Sequence, residues 1–155
     1  MPDVLILLGS KSDREVGEKA KKLLDEFGVS SLMIVSSAHR SPKPLVRLVE
    51  SSDAKVFIGV AGVSAALPGV IAAHTTRPVI GVPVSGKVNL DAILAVSQMP
   101  PGVPVAAVGL DRGENAGLLA VQMLALSNPA LAAKLQEHKV RLEQQVLEDS
   151  KSLGG

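Results

Sequence analysis

The sequence predicts an α/β fold in which a parallel sheet of about five strands carries helices on both faces. Three observations lead there. Short apolar runs alternate with helical apolar periods about five times along the chain. The runs are apolar almost throughout rather than at every second residue, as strands buried on both faces require. Glycine-rich and polar turns follow the strands, whereas the turns that precede them are plain.

The first strand is the run Val4-Leu5-Ile6-Leu7-Leu8, ended by Gly9-Ser10. A helix over 13–27 places Val16, Ala20, Leu23, Leu24 and Phe27 on one face and Glu15, Glu18, Lys19, Lys21 and Lys22 on the other, and Gly28 stops it. Residues 32–35 form a second strand and 42–51 a short helix with Leu45, Leu48 and Val49 inward. A third strand over 56–60 leads into a small-residue helix from Ser64 to about His74. Residues 78–82 form the fourth strand, 90–99 a helix, 103–108 the fifth strand and 114–126 a further helix. Beyond Pro129, Leu131, Leu135, His138, Leu142 and Val146 make a narrow apolar stripe on an otherwise polar helix continuing towards Ser150. The organisation is therefore one α/β domain over 1–128 and a C-terminal helix and tail over 129–155. That helix either lies on its own domain or packs on a neighbouring subunit.

Composition removes several classes of function. At 155 residues the chain fits one domain, and 46% hydrophobic with 20% charged residues is enough to bury a core. Lys+Arg 16 against Asp+Glu 15 leaves no basic excess for nucleic acid, and Phe27 and Phe57 are the only aromatic rings on which bases could stack. The absence of Cys excludes a disulfide framework, a thiolate nucleophile and a Cys-based zinc site. No His/Asp/Glu set has metal-ligand spacing, and Asp91, Asp111 and Glu114 stand isolated. The start of the chain lacks a basic secretory leader, and no uncharged run approaches the roughly 20 residues that span a bilayer. The expectation is a soluble, cytoplasmic protein.

If the sheet is parallel, the four polar turns converge on one rim. In Gly9-Ser10-Lys11-Ser12-Asp13, Ser10 and Ser12 offer hydroxyl donors beside a helix start that favours an anion, and Asp13 can accept from both hydroxyls of a ribose. Simple capping by Ser12 or Asp13 explains the same residues. In Ser36-Ser37-Ala38-His39-Arg40-Ser41-Pro42, Arg40 supplies a planar fork for phosphate and Ser37 a further donor. His39 is the one histidine on this rim, and imidazole as a side-chain type suits proton transfer near neutral pH, with an ordinary hydrogen-bonded loop histidine as the bland alternative. His74 and His138 lie elsewhere and read as structural. In Ala61-Gly62-Val63-Ser64, Gly62 allows close approach to the backbone and Ser64 with a helix N-terminus gives donors, although close helix–sheet packing accounts for the low volume equally well. Pro83-Val84-Ser85-Gly86-Lys87 is the fourth turn.

Taken in order, these motifs resemble the PurE family of purine biosynthesis. Gly9-Ser10-Lys11-Ser12-Asp13, Ser37-Ala38-His39-Arg40-Ser41-Pro42, Leu67-Pro68-Gly69, 78–84, Gln98-Met99-Pro100 and Asn115-Ala116 with Leu118-Leu119-Ala120 all match at the family's spacing. The resemblance implies a flavodoxin-like three-layer sandwich, a homo-octamer, and no metal or organic cofactor. It implies a small ribonucleotide and carbon dioxide as reactants. Ser10, Asp13 and Arg40 would hold the ribonucleotide, with Ser12, Ser37, Ala38, Gly62, Ser64, Ala65 and Leu67 around it, and His39 would be the general acid/base. The implied reaction moves a carboxylate from the exocyclic nitrogen of N5-carboxyaminoimidazole ribonucleotide to ring carbon C4. One departure stands out: Ala66 occupies the position just before Leu67 where mutase members carry a second histidine. Relatives that carboxylate aminoimidazole ribonucleotide directly are therefore the alternative, and a non-catalytic ribonucleotide-binding module is the third.

Overall fold

Val4–Leu8 (β1), apolar at all five positions, is buried at all five because it lies inside the sheet with a strand on each side. Burying each such side chain contributes about 1.5–3 kcal/mol, so this run must be internal. The computed structural model describes residues 2–154. After β1 come Arg14–Phe27 (α1), Ser31–Val35 (β2), Pro42–Ser51 (α2) and Val56–Ala61 (β3). Leu67–Ala73 (α3), Val79–Pro83 (β4), Asn89–Ser97 (α4) and Ala106–Ala107 (β5) follow, and Gly113–Ala125 (α5) and Pro129–Ser152 (α6) complete the chain. The strands pair in the order β2-β1-β3-β4-β5, all parallel, which is the flavodoxin-like arrangement.

Alternation along the strands divides the core into two layers. Val4, Ile6 and Leu8 face Val16, Ala20, Leu24 and Phe27 of α1 and Ala116, Ala120 and Val121 of α5. Leu5 and Leu7 face Leu45 and Val49 of α2, Leu67 and Ile71 of α3, and Ala92 and Val96 of α4. Small residues set the spacing where α1 meets α5. A Cβ on Gly117 would stand 2.8 Å from the Ala20 carbonyl oxygen, and one on Gly113 would run into that of Val16.

Two elements differ from the sequence expectation. The fifth strand spans two residues rather than 103–108, because Pro104 has no N–H to give the ladder and the strand lies at the sheet's edge. The third helix starts at Leu67 rather than Ser64, with Pro68 in its first turn, so residues 62–66 form an extended turn instead. Small shifts also occur in α4, which starts at Asn89 and ends at Ser97.

Of the two placements that its sequence left open, the first part of the C-terminal helix takes the one on its own domain. Asn128 Oδ1 accepts from the N–H groups of Ala130 and Leu131, and Pro129 opens the helix. Leu131 is buried, Leu135 packs on the α1/α5 layer, and Lys134 Nζ donates to the Phe27 carbonyl at 2.9 Å. His138 sits edge-on to Phe27, with ring centroids 5.5 Å apart. Past that point Val140, Leu142, Val146 and Leu147 are exposed on this chain.

Candidate active site

The carboxyl ends of β1, β2, β3 and β4 open into one cleft of about 490 Å³. Ser10, Ser12, Asp13, Ser37, Ala38, His39, Arg40, Gly62, Ser64, Ala65 and Leu67 all line it, with Gly9, Ala66, Val84 and Ser85 beside them. Each residue that the sequence proposed for the site thus lines a single cavity, as the crevice rule for parallel sheets requires. Backbone bonds fix the floor: Gly9 N–H donates to the Val60 carbonyl at 2.9 Å and Ser36 N–H to that of Leu8 at 2.8 Å.

The first turn folds as a 3-10 turn over Lys11–Asp13, capped by Ser10. Ser10 Oγ accepts from Ser12 N–H at 3.4 Å and from Ser12 Oγ at 3.1 Å, and Asp13 Oδ2 accepts from Ser10 N–H at 2.9 Å. The cap is therefore Ser10, and neither Ser12 nor Asp13 caps α1 through its side chain. The physical reason is the extra turn, which sets Ser10 and Asp13 three residues apart as the two halves of a capping box.

Asp13 is only 6% exposed. Burial pushes its carboxyl above the ordinary aspartate value, opposed by the Ser10 N–H and the Arg40 guanidinium. A raised folded-state pKa means that the folded protein binds this proton more tightly than the unfolded chain. Stability contributed at this residue is then fullest below about pH 3.8, falls as pH rises through the folded value, and stays reduced above it. Asp13→Asn keeps an acceptor for Ser10 N–H without the charge. Urea unfolding is expected to find the variant more stable than the parent protein at pH 7, with the difference vanishing near pH 3.5. A variant less stable at pH 7 would show that the carboxylate charge is a net stabiliser.

Arg40 joins two of the turns. Its Nη2 donates to the Gly9 carbonyl at 2.9 Å, and its Nε and backbone N–H donate to Ser37 Oγ at 3.3 and 3.1 Å. Ser41 completes the loop, its Oγ donating to the Ser37 carbonyl and accepting from Ser37 N–H, both at 3.1 Å. His39 is exposed at the cleft and its ring enters no protein hydrogen bond among the described residues, so the ordinary hydrogen-bonded loop histidine is not what is seen. The other two histidines are placed structurally: His74 Nδ1 lies 3.2 Å from Glu50 Oε1, and His138 is on Phe27.

The third turn departs most from the sequence expectation. Ser64 lies in the left-handed region, with φ 52°, and its N–H donates to Asp91 Oδ2 of α4 at 2.7 Å. It is therefore neither a helix N-terminus nor a free backbone donor. Gly62 packs on the next loop, where a Cβ would meet the Val84 carbonyl oxygen at 3.3 Å. Asp111, also left-handed with φ 59°, accepts from Ser85 N–H through Oδ1 at 2.8 Å. Sequence reasoning left Asp91 and Asp111 as isolated carboxylates, since their partners lie 27 and 26 positions away. Among the described residues, no three His, Cys, Asp or Glu side chains gather as a metal site.

The strand ends of this parallel α/β domain thus open into a cleft lined by serine and arginine, with the chemistry to take a small anion beside an imidazole that has no hydrogen-bond partner among the described residues. Residues 3–145 match the model of the AIR carboxylase family, and the chain belongs to that family. It is 50% identical over 144 residues to the N5-carboxyaminoimidazole ribonucleotide mutase of Methanocaldococcus jannaschii, covering 92% of each chain. It is 41% identical over 98% of its length to the phosphoribosylaminoimidazole carboxylase of Schizosaccharomyces pombe, of which it spans 28%. The crystal structure of Treponema denticola PurE superposes with a TM-score of 0.88 at 29% identity, covering 97% of each chain.

Proposed function

We propose that this protein is an isomerase of purine biosynthesis, converting N5-carboxyaminoimidazole ribonucleotide to 4-carboxy-5-aminoimidazole ribonucleotide. The observation that carries the reading is the meeting of His39 and Arg40 with the Ser10/Asp13 turn in one cleft. Relatives 40–50% identical over most of their length bear the mutase name. In the proposed sequence, Arg40 and the serine hydroxyls hold phosphate, and Asp13 accepts from the ribose. The His39 imidazolium protonates N5 as its bond to the carboxyl carbon breaks, releasing carbon dioxide. C4 then bonds to that carbon dioxide, and the now neutral His39 takes the C4 proton, restoring the imidazolium. Each cycle consumes no net proton. Holding the gas beside its acceptor in a closed site supplies effective molarity. The low-volume wall of Gly62, Ala65 and Ala66 leaves room for it.

One observation favours a second reading. Ala66 lines the cleft at the position where the family resemblance implies a second histidine for a mutase, so direct carboxylation of aminoimidazole ribonucleotide is the alternative. Running the reaction backwards from the C-carboxylated nucleotide decides between them. N5-carboxyaminoimidazole ribonucleotide as first product is expected; free aminoimidazole ribonucleotide with released carbon dioxide would give the carboxylase. The proposal extends to a cytoplasmic homo-octamer in which the outer part of α6 packs on a neighbouring subunit, supported by its exposed Val140, Leu142, Val146 and Leu147. Light scattering of the full chain and of a chain ending at residue 128 tests it: equal subunit numbers would remove α6 from the assembly.

A further inference from the structure

The turn over residues 62–66 forms one wall of the cleft, anchored by the buried Ala65 but by few hydrogen bonds. Among the described residues, the Ser64 N–H to Asp91 Oδ2 bond, at 2.7 Å, is the only hydrogen bond that ties residues 63–65 to another element. Ser64 has a side chain and still adopts φ 52°, a region that residues other than Gly, Asn and Asp seldom occupy. Such a backbone persists only where its surroundings impose it. No hydrogen bond inside the turn does so among the described residues: Ser64 is exposed, and the flanking Val63 and Ala65 bring no polar side chain. The carboxylate comes instead from the first turn of α4, whose inward residues Ala92 and Val96 are fully buried and give it a rigid base.

We propose that Asp91 is a positioning residue, which by accepting the Ser64 N–H sets the turn so that Ser64 and Ala65 face the reacting carboxyl group. Asp91 itself does not line the cleft. The inference rests on the proposed carboxyl transfer, because it concerns where the carbon dioxide is held between leaving N5 and reaching C4. Displacing a wall by about 1 Å at such a step costs on the order of 100-fold in rate, whereas the phosphate grip at Arg40 and Ser10 is untouched.

Asp91→Ala is expected to lower kcat about 10- to 100-fold while ribonucleotide Kd moves less than about threefold. Asp91→Asn, which keeps an acceptor oxygen at the same place, is expected within about threefold of the parent kcat. The loss on Asp91→Ala is expected to be smaller when Ser64 is also replaced by Gly, which enters the left-handed region without strain. A parent-like kcat in Asp91→Ala, or Asp91→Asn falling as far as Asp91→Ala, would overturn the proposal. The Ser64 amide proton resonance gives a readout independent of turnover, and an upfield move in Asp91→Ala but not in Asp91→Asn is expected. If the parent protein turns over neither nucleotide, the functional reading fails by itself. The amide resonance then decides the Asp91 contact, and a Ser64 signal indifferent to Asp91→Ala would overturn it.

Discussion

His39→Asn is expected to lower turnover in both directions by about 10²- to 10⁴-fold, the range that a single general acid/base contributes. The ring is exposed at the cleft and makes no hydrogen bond among the described residues, so its removal breaks no structural bond there. Stability should therefore hold, and a melting temperature within a degree or two of the parent would exclude unfolding as the cause. Affinity for the ribonucleotide is expected within about tenfold, since the groups proposed to grip phosphate and ribose remain. Equal loss in the two directions follows from one group serving both the N5 and the C4 proton. Turnover retained by the variant would remove His39 from the mechanism.

Arg40→Ala is expected to weaken ribonucleotide binding by about 10- to 150-fold, the equivalent of about 1.5–3 kcal/mol for a charge-assisted bond. The side chain is anchored before ligand arrives, with Nη2 on the Gly9 carbonyl and Nε on Ser37 Oγ. A phosphate that meets a guanidinium already in place avoids most of the ordering cost of a long side chain. Arg40→Lys keeps the charge but not the fork, and should fall between the two. Titration calorimetry of the three proteins reads this directly, and an unchanged Kd in Arg40→Ala would move the phosphate elsewhere. Raising salt should weaken binding in the parent more than in Arg40→Ala.

Much of this architecture was legible in the residues because its signals are local. The run 4–8 has one reading as an internal strand, and the structure places β1 there. The apolar period of 13–27 marks α1, preceded by a 3-10 turn, and Gly28 ends it in the left-handed conformation, with φ 74°. The gathering of Ser10, Asp13, Ser37, His39, Arg40 and Gly62 was legible too, since parallel topology alone sends all strand-to-helix turns to one rim. What could not be read depends on partners distant in sequence. Ser64 looked like a helix start because small residues follow it. Its backbone is set by Asp91, 27 positions away, and no local periodicity records that bond. Asp111 and Ser85 make the same point for the neighbouring loop. The fifth strand was overestimated because the apolar content of 103–108 outweighed Pro104, whose missing N–H shortens the ladder.

The pairing of β1 has a consequence for how the chain is made. Its two neighbours are β2 and β3, both synthesised later, so five consecutive aliphatic residues leave the ribosome with no strand to join. Only when about residue 61 has emerged can both edges of that segment be satisfied, and until then it is a sticky stretch of nascent polypeptide. At typical translation speeds that wait lasts several seconds, long enough for chaperone capture to compete with productive folding.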